Sequence, residues 1–152
     1  MKFVIAFAIL STVGFEPLLL ANPPDNSEVV NSSKEKIRRQ REAVIKARKD
    51  AQAAATAREK EEALARAKEE TTAIVDTGNE HPKEPAVQFE AAGALASLGE
   101  HQKSLPFSYN VIRDMPERPE GYRLAAISLS ALGEHKSANA LGTALPTVTL
   151  PS

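Results

Sequence analysis

The chain has 152 residues, a net charge of −1, 42% hydrophobic and 5% aromatic residues, and neither Cys nor Trp. That length suits one small domain with an accessory segment, and the core it can bury is modest and alanine-rich. The absence of Cys excludes disulfides, thiolate-held zinc, thiol catalysis and a Cys-linked lipid anchor, and the near-zero charge gives no global field that selects a nucleic acid.

Residues 1–21, "MKFVIAFAILSTVGFEPLLLA", read as a targeting segment. Lys2 provides a basic start, Phe3 to Leu10 is an unbroken apolar run, and Ala21 is a candidate cleavage residue. The run is short for a bilayer, which takes about 20 residues. The expectation is a cleaved signal and a periplasmic or secreted mature chain. The alternative is an uncleaved N-terminal anchor, which is the only way this reading brings the chain to a membrane.

Residues 22–31 read as a polar linker. Ser32 and Glu35 form an S-x-x-E capping box, and from Ser33 to Thr77 there is no Gly or Pro while eleven alanines stand among Lys, Arg, Glu and Gln. The expectation is one long charged helix over residues 32–77, stopped by Gly78, with a length of roughly 65 Å at about 1.5 Å per residue. Residues 78–84 would then link it to the C-terminal half.

Ile37, Val44 and Ala51 recur every seven residues, with Ala47 and Ala54 in the companion position, and the register fails at Arg58 and Glu61. This seam predicts at most a weak homo-oligomer through the long helix. Charges pair along the helix as Glu35–Arg39, Glu42–Lys46 and Glu62–Arg66, each contributing about 0.2–0.5 kcal/mol. Residues 34–49 carry eight Lys/Arg against two Glu, which opens contact with an anionic polymer. No aromatic interleaves with these cations, so a nucleic-acid partner is disfavoured.

The C-terminal half repeats itself. Leu98-Gly99-Glu100-His101 returns as Leu132-Gly133-Glu134-His135, an offset of 34 residues that also separates Pro82 from Pro116. Val87, Ala91, Leu95 and Leu98 form one helical stripe, and Tyr122, Ala126, Leu129 and Leu132 form its equivalent one period later. Each ends at a glycine able to take the left-handed turn conformation. Shorter stripes come after each turn: Leu105, Tyr109 and Ile112, then Ala138, Leu141 and Leu145. Pro106 delays the second helix to about Ser104 or kinks it, and Gly142 and Pro146 shorten the last one. Residues 147–152 read as an irregular tail.

These residues resemble the tetratricopeptide repeat over residues 85–146, as two helix–turn–helix units. The fold class expected is therefore all-α, with a long charged helix followed by a short two-unit α-solenoid. Two units are fewer than the three such stacks usually need, and the apolar patch from Leu64 to Val75 is expected to cap them. The resemblance implies close packing at Ala92, Leu98, Gly99, Ala126, Leu132, Gly133 and Ala138, with Ser104 in the position of Ala138. It implies a packing role for His101 and His135. It also implies a groove for a peptide or helix of another protein, lined by the first helix of each unit, with Gln88, Glu90, Tyr122 and Arg123 as outward candidates.

No phosphate loop, nucleophile elbow, metal-ligand cluster or carboxylate pair is evident, so catalysis, cofactors and metals are not expected. The order of signal, charged helix and repeats resembles that of bacterial periplasmic helix-plus-repeat adaptor proteins. The expected function is a non-enzymatic scaffold of the cell envelope. The alternatives are a rod-like assembly component acting through the long helix, and an anionic-polymer or nucleic-acid binder acting through residues 34–49.

Overall fold

The computed structural model describes residues 26–144, which form six α-helices and no strand. They are α1 (Asn26–Ala53), α2 (Ala57–Glu80), α3 (Pro85–Ser97), α4 (His101–Asp114), α5 (Pro119–Ala131) and α6 (His135–Thr143). The fold is all-α, as the sequence predicts. The expected signal at 1–21 and the expected tail at 147–152 lie outside the described residues.

The single long helix is not formed. The chain breaks at residues 54–56 and α2 folds back along α1. As residue numbers climb on α1 they fall on α2: the Ser33 side chain meets His81, Lys36 meets Glu80 at 3.6 Å, and Gln40 accepts from Thr77 at 3.4 Å. A local signal marks the break. Thr56 and Glu59 form a reciprocal capping box: the Glu59 N–H donates to Thr56 Oγ1 at 3.2 Å and the Thr56 N–H to Glu59 Oε2 at 3.1 Å. Ser32 and Glu35, by contrast, lie inside α1, which begins six residues earlier and absorbs part of the expected linker.

Folding back also explains the failing heptad register. Ile37, Val44, Ala47 and Ala51 are buried on α1, and Ala63, Ala67 and Ile74 on α2, so the seam is filled by the chain's own helices. The homo-oligomer expected through that seam loses its surface. The chain buries Ile37 and Val44 completely.

Gly78 does not stop α2. It is buried within the helix, which runs to Glu80, and a Cβ placed on it would stand 2.5 Å from Phe107 Cε1 of α4. Its role is close approach, and the expected linker at 78–84 shrinks to the residues after Glu80.

The remaining four helices follow the repeated letters. Pro85 and Pro119 occupy the first turns of α3 and α5, where a missing N–H costs nothing. Gly99 and Gly133 take φ of +77° and +83°. The turns carry the same hydrogen bonds: Glu100 N–H to Leu95 O and Glu134 N–H to Leu129 O, both 2.9 Å, with Gly99 N–H to Ala96 O and Gly133 N–H to Ser130 O, both 3.0 Å. This is the Schellman closure of a helix end. α4 starts at His101 and runs through Pro106, so the expected delay to Ser104 does not occur.

The six helices form three successive antiparallel hairpins, each packed on the next: α2 and α1 contact α3, α4 contacts α5, and α3 contacts α5. α1 and α3 run parallel, since Arg38 pairs with Glu90 and Arg48 with Glu100, both 52 positions apart. The described chain is thus a three-hairpin stack. The pair α1–α2 caps it, where the sequence predicts that role for the end of a long helix.

Candidate partner-binding groove

The expected outward residues divide. Gln88 is fully buried, a correction to its reading as a groove residue. Its Nε2 donates to Gly78 O at 2.6 Å and His81 O at 2.9 Å, and its Oε1 accepts from Asn110 Nδ2 at 2.8 Å. Each of these carbonyls also accepts one backbone N–H, from His81 and Glu84 at 3.2 Å, and the Gln88 amide fills their second lone pairs while binding α4. Glu90 faces α1, where Arg38 donates to it from Nε at 3.0 Å and Nη2 at 3.3 Å. That contact pushes the Arg38 guanidinium above its ordinary range, through the hydrogen bond first and the charge second. Tyr122 is half-buried and Arg123 is exposed on α5.

The packing candidates also divide. Ala92, Leu98 and Ala138 are buried, and Ser104 is fully buried, donating to Ala92 O at 2.8 Å and accepting from Ser128 at 3.3 Å. Ala126 is only half-buried, and its neighbour Ala125 takes the fully buried position. Leu132 is 43% exposed, unlike its repeat-mate Leu98. The difference is a neighbour. Arg48 of the long α1 donates to Leu98 O and pairs with Glu100 at 2.8 Å, and the shorter α3 makes no equivalent contact to Leu132 O or Glu134 among the described residues. His101 is half-buried with Nδ1 enclosed and unpartnered, and His135 is exposed.

Ser33 and His81 meet at 2.8 Å. The Ser33 hydroxyl lies 2.9 Å from Val29 O and has one proton to give, so the imidazole donates to it. The pair ties α1 to the end of α2 rather than activating a nucleophile. Among the described residues no group of three or more His, Asp and Glu is placed to hold a metal, and no helix is long and apolar enough to cross a membrane.

One concave region is built jointly by the three hairpins. A cavity of about 530 Å³ is floored by Phe89, Pro85 and Ala86 of α3. Lys34 and Arg38 of α1 form one wall, and Arg118 and Glu120 at the start of α5 form the other. Phe89 is 38% exposed there. Helical spacing extends the same face: Gly93 lies four residues after Phe89, Ile45 seven after Arg38, and Ile127 seven after Glu120. Ile45 and Ile127 are 40% and 56% exposed. Each of the three parallel first helices thus offers one large apolar side chain. Sequence reasoning missed Phe89, although it is the sole aromatic of α3 and lies off the buried stripe of Val87, Ala91 and Leu95.

Four of the eight cations of residues 34–49 are paired: Arg38 with Glu90 and Arg48 with Glu100 across to α3 and its turn, and Lys36 with Glu80 and Arg39 with Glu35 at the surface. Comparison with known proteins finds no matching family model, no matching curated protein and no matching solved structure.

Proposed function

We propose that this chain is a non-enzymatic adaptor with tetratricopeptide-like units, which binds another protein along the face formed by α1, α3 and α5. The observation that carries the reading is the Phe89 cavity. It draws its floor and two walls from three different hairpins, so it exists only because they stack, and it leaves an aromatic ring wet. Apolar side chains rimmed by polar ones on a concave surface are the usual mark of a protein-binding site. The apolar run at residues 3–10 and Ala21 support a mature chain outside the cytoplasm, in the cell envelope, and intact-mass measurement on the native protein tests that part. The rod-like alternative has lost its rod, because α1 and α2 fold against each other.

Site-specific photo-crosslinking tests the binding surface. A benzophenone side chain replacing Phe89 is expected to give a discrete adduct with an envelope protein. The same group replacing Glu69, on the outer face of α2, is expected to give none. Equal adducts at both positions, or none at Phe89, would reject the groove.

A further inference from the structure

Among the described residues, the turn between α1 and α2 is built unlike the other four. Those carry Pro82, Gly99, Pro116 and Gly133, and both glycines take a positive φ. Such residues oppose a helix running on. The turn from α1 to α2 is Ala54-Ala55-Thr56, with Ala53 before it and Ala57 after. Alanine is the strongest helix former, so no residue type in this stretch requires the reversal. What holds the turn locally is its cap. Glu59 Oε2 accepts from the Ala55 and Thr56 N–H groups, both at 3.1 Å, and Thr56 Oγ1 accepts from the Glu59 N–H at 3.2 Å, all at an exposed position.

Where α1 is held gives a second observation. Its side chains reach across the stack from Ser33 to His81, Lys36 to Glu80, Arg38 to Glu90 and Arg48 to Glu100. Every one of these partners lies at the end of α2 or beyond it, and none belongs to the turn. With α2 and α3 they form a socket in which Ile37 and Val44 of α1 are completely buried. Every copy of the chain carries the same socket, and no bond in it depends on which copy supplies the helix. An α1 that leaves its own socket exposes Ile37 and Val44, and the surface that matches it in full is the socket of a second copy.

We propose that two copies of this chain exchange α1: residues 54–56 become helical, α1 and α2 join, and α1 of each copy fills the socket of the other. Exchange of an identical element is a low-cost route to a dimer, because each contact is remade and only the turn differs. The turn loses the bonds of its cap and gains alanine-rich helix in their place. Association costs translational freedom, so protein concentration sets the balance between monomer and dimer. The dimer needs no apolar surface beyond the one α1 already buries. Each face formed by α1, α3 and α5 becomes composite, with α1 from one copy and α3 and α5 from the other, and the dimer presents two such faces. The exchange does not rest on what that face binds.

The chain has no cysteine, so introduced thiols report on the exchange without background. Lys36 and Glu80 meet at 3.6 Å with both side chains more than half exposed, which suits substitution. A Lys36→Cys chain and a Glu80→Cys chain are mixed, unfolded in urea, refolded together at high concentration and oxidised. A mixed disulfide dimer is expected, at least tenfold more abundant than when Glu69→Cys, on the outer face of α2, takes the place of Glu80→Cys. Light scattering on the unsubstituted full chain, refolded in the same way, should show a dimer whose fraction rises with concentration. Thr56→Ala with Glu59→Ala, which removes the cap, should raise that fraction at least threefold. Ala54→Gly with Ala55→Gly, which disfavours helix at the turn, should lower it at least threefold. A chain that stays monomeric at every concentration, with the cap removed as well as intact, overturns the exchange. So does a dimer without the mixed disulfide, a disulfide yield equal to that with Glu69→Cys, or a dimer fraction indifferent to both pairs of turn substitutions.

Discussion

Alanine at Gly78 and alanine at Gly93 are the same chemical change in two helices, and they are expected to move stability in opposite directions. Each gains about 1 kcal/mol of intrinsic helix preference. At Gly93 nothing opposes the gain, since the new methyl has open space around it. At Gly78 the methyl would lie 2.5, 3.0 and 3.1 Å from three carbons of the Phe107 ring. Carbon atoms settle at about 3.5–4.0 Å, so the ring must retreat by roughly 1 Å. Phe107 is 3% exposed and the Gly78 backbone is tied to Gln88, which leaves the ring little room. Overpacking of this kind costs about 1–3 kcal/mol and outweighs the helix gain. Gly78→Ala should therefore lower stability by about 1 kcal/mol while Gly93→Ala raises it by about the same. For a domain of this size the two melting temperatures should differ by roughly 6–10 °C. Thermal melts followed at 222 nm decide it. A Gly78→Ala protein that melts as high as Gly93→Ala would refute the tight contact between α2 and α4.

Gln88→Leu should cost about 1–3 kcal/mol in urea unfolding, because it removes the amide's bonds to the carbonyls of Gly78 and His81 and leaves Asn110 Nδ2 without its acceptor. Ile37→Lys with Val44→Lys should abolish cooperative melting rather than dissociate an oligomer, since each would bury an unpaired ammonium between α1, α2 and α3. Arg113 donates to Asp114 at 2.7 and 2.9 Å and holds its carboxyl below the ordinary carboxylate range, through the hydrogen bond first. The small stability this adds is present above the ordinary aspartate value of about 3.9 and is lost as pH falls through the lowered folded value. An NMR titration should find Asp114 returning toward the ordinary value in Arg113→Gln.

The four C-terminal helices are legible in the sequence because their signals are covalent and local. A glycine that must take positive φ, a proline in a first turn and a leucine stripe between them leave few alternatives, and the 34-residue repeat states them twice. The hairpin of α1 and α2 is not legible by the same means. Its turn contains no Gly or Pro, and alanine-rich sequence is content to continue as helix. Thr56-x-x-Glu59 is a visible capping box, but Ser32-x-x-Glu35 has the same form, and only burial of Ile37 and Val44 against Ile74 decides which box starts a helix. Gln88 misleads because a polar side chain on a helix is ordinarily solvated. Its partners are the last carbonyls of another helix, which runs to Glu80 rather than stopping before Gly78. Phe89 is hidden by its neighbours: once the stripe of Val87, Ala91 and Leu95 is taken as core, an aromatic beside it reads as extra core. Its exposure follows from the position of α5, not from its own surroundings in the chain.

The unequal lengths of the hairpins have a consequence for how the molecule opens. α1 spans 28 residues, about 42 Å, against 13 residues, about 20 Å, for α3. Arg48 ties α1 to the α3–α4 turn. Beyond it the tip of α1 and the start of α2 have chiefly each other, and the side chains between them are alanines: Ala51, Ala63 and Ala67. Alanine lets two helices approach closely but withdraws little apolar surface from water, at about 25 cal/mol per Å². The cap therefore carries its own weak end. Amide protons of residues 49–66 should exchange with deuterium through opening of that tip alone, in a time set by local free energy. Those of Val87 to Leu95, enclosed by α1, α2 and α4, should exchange only when the whole stack comes apart.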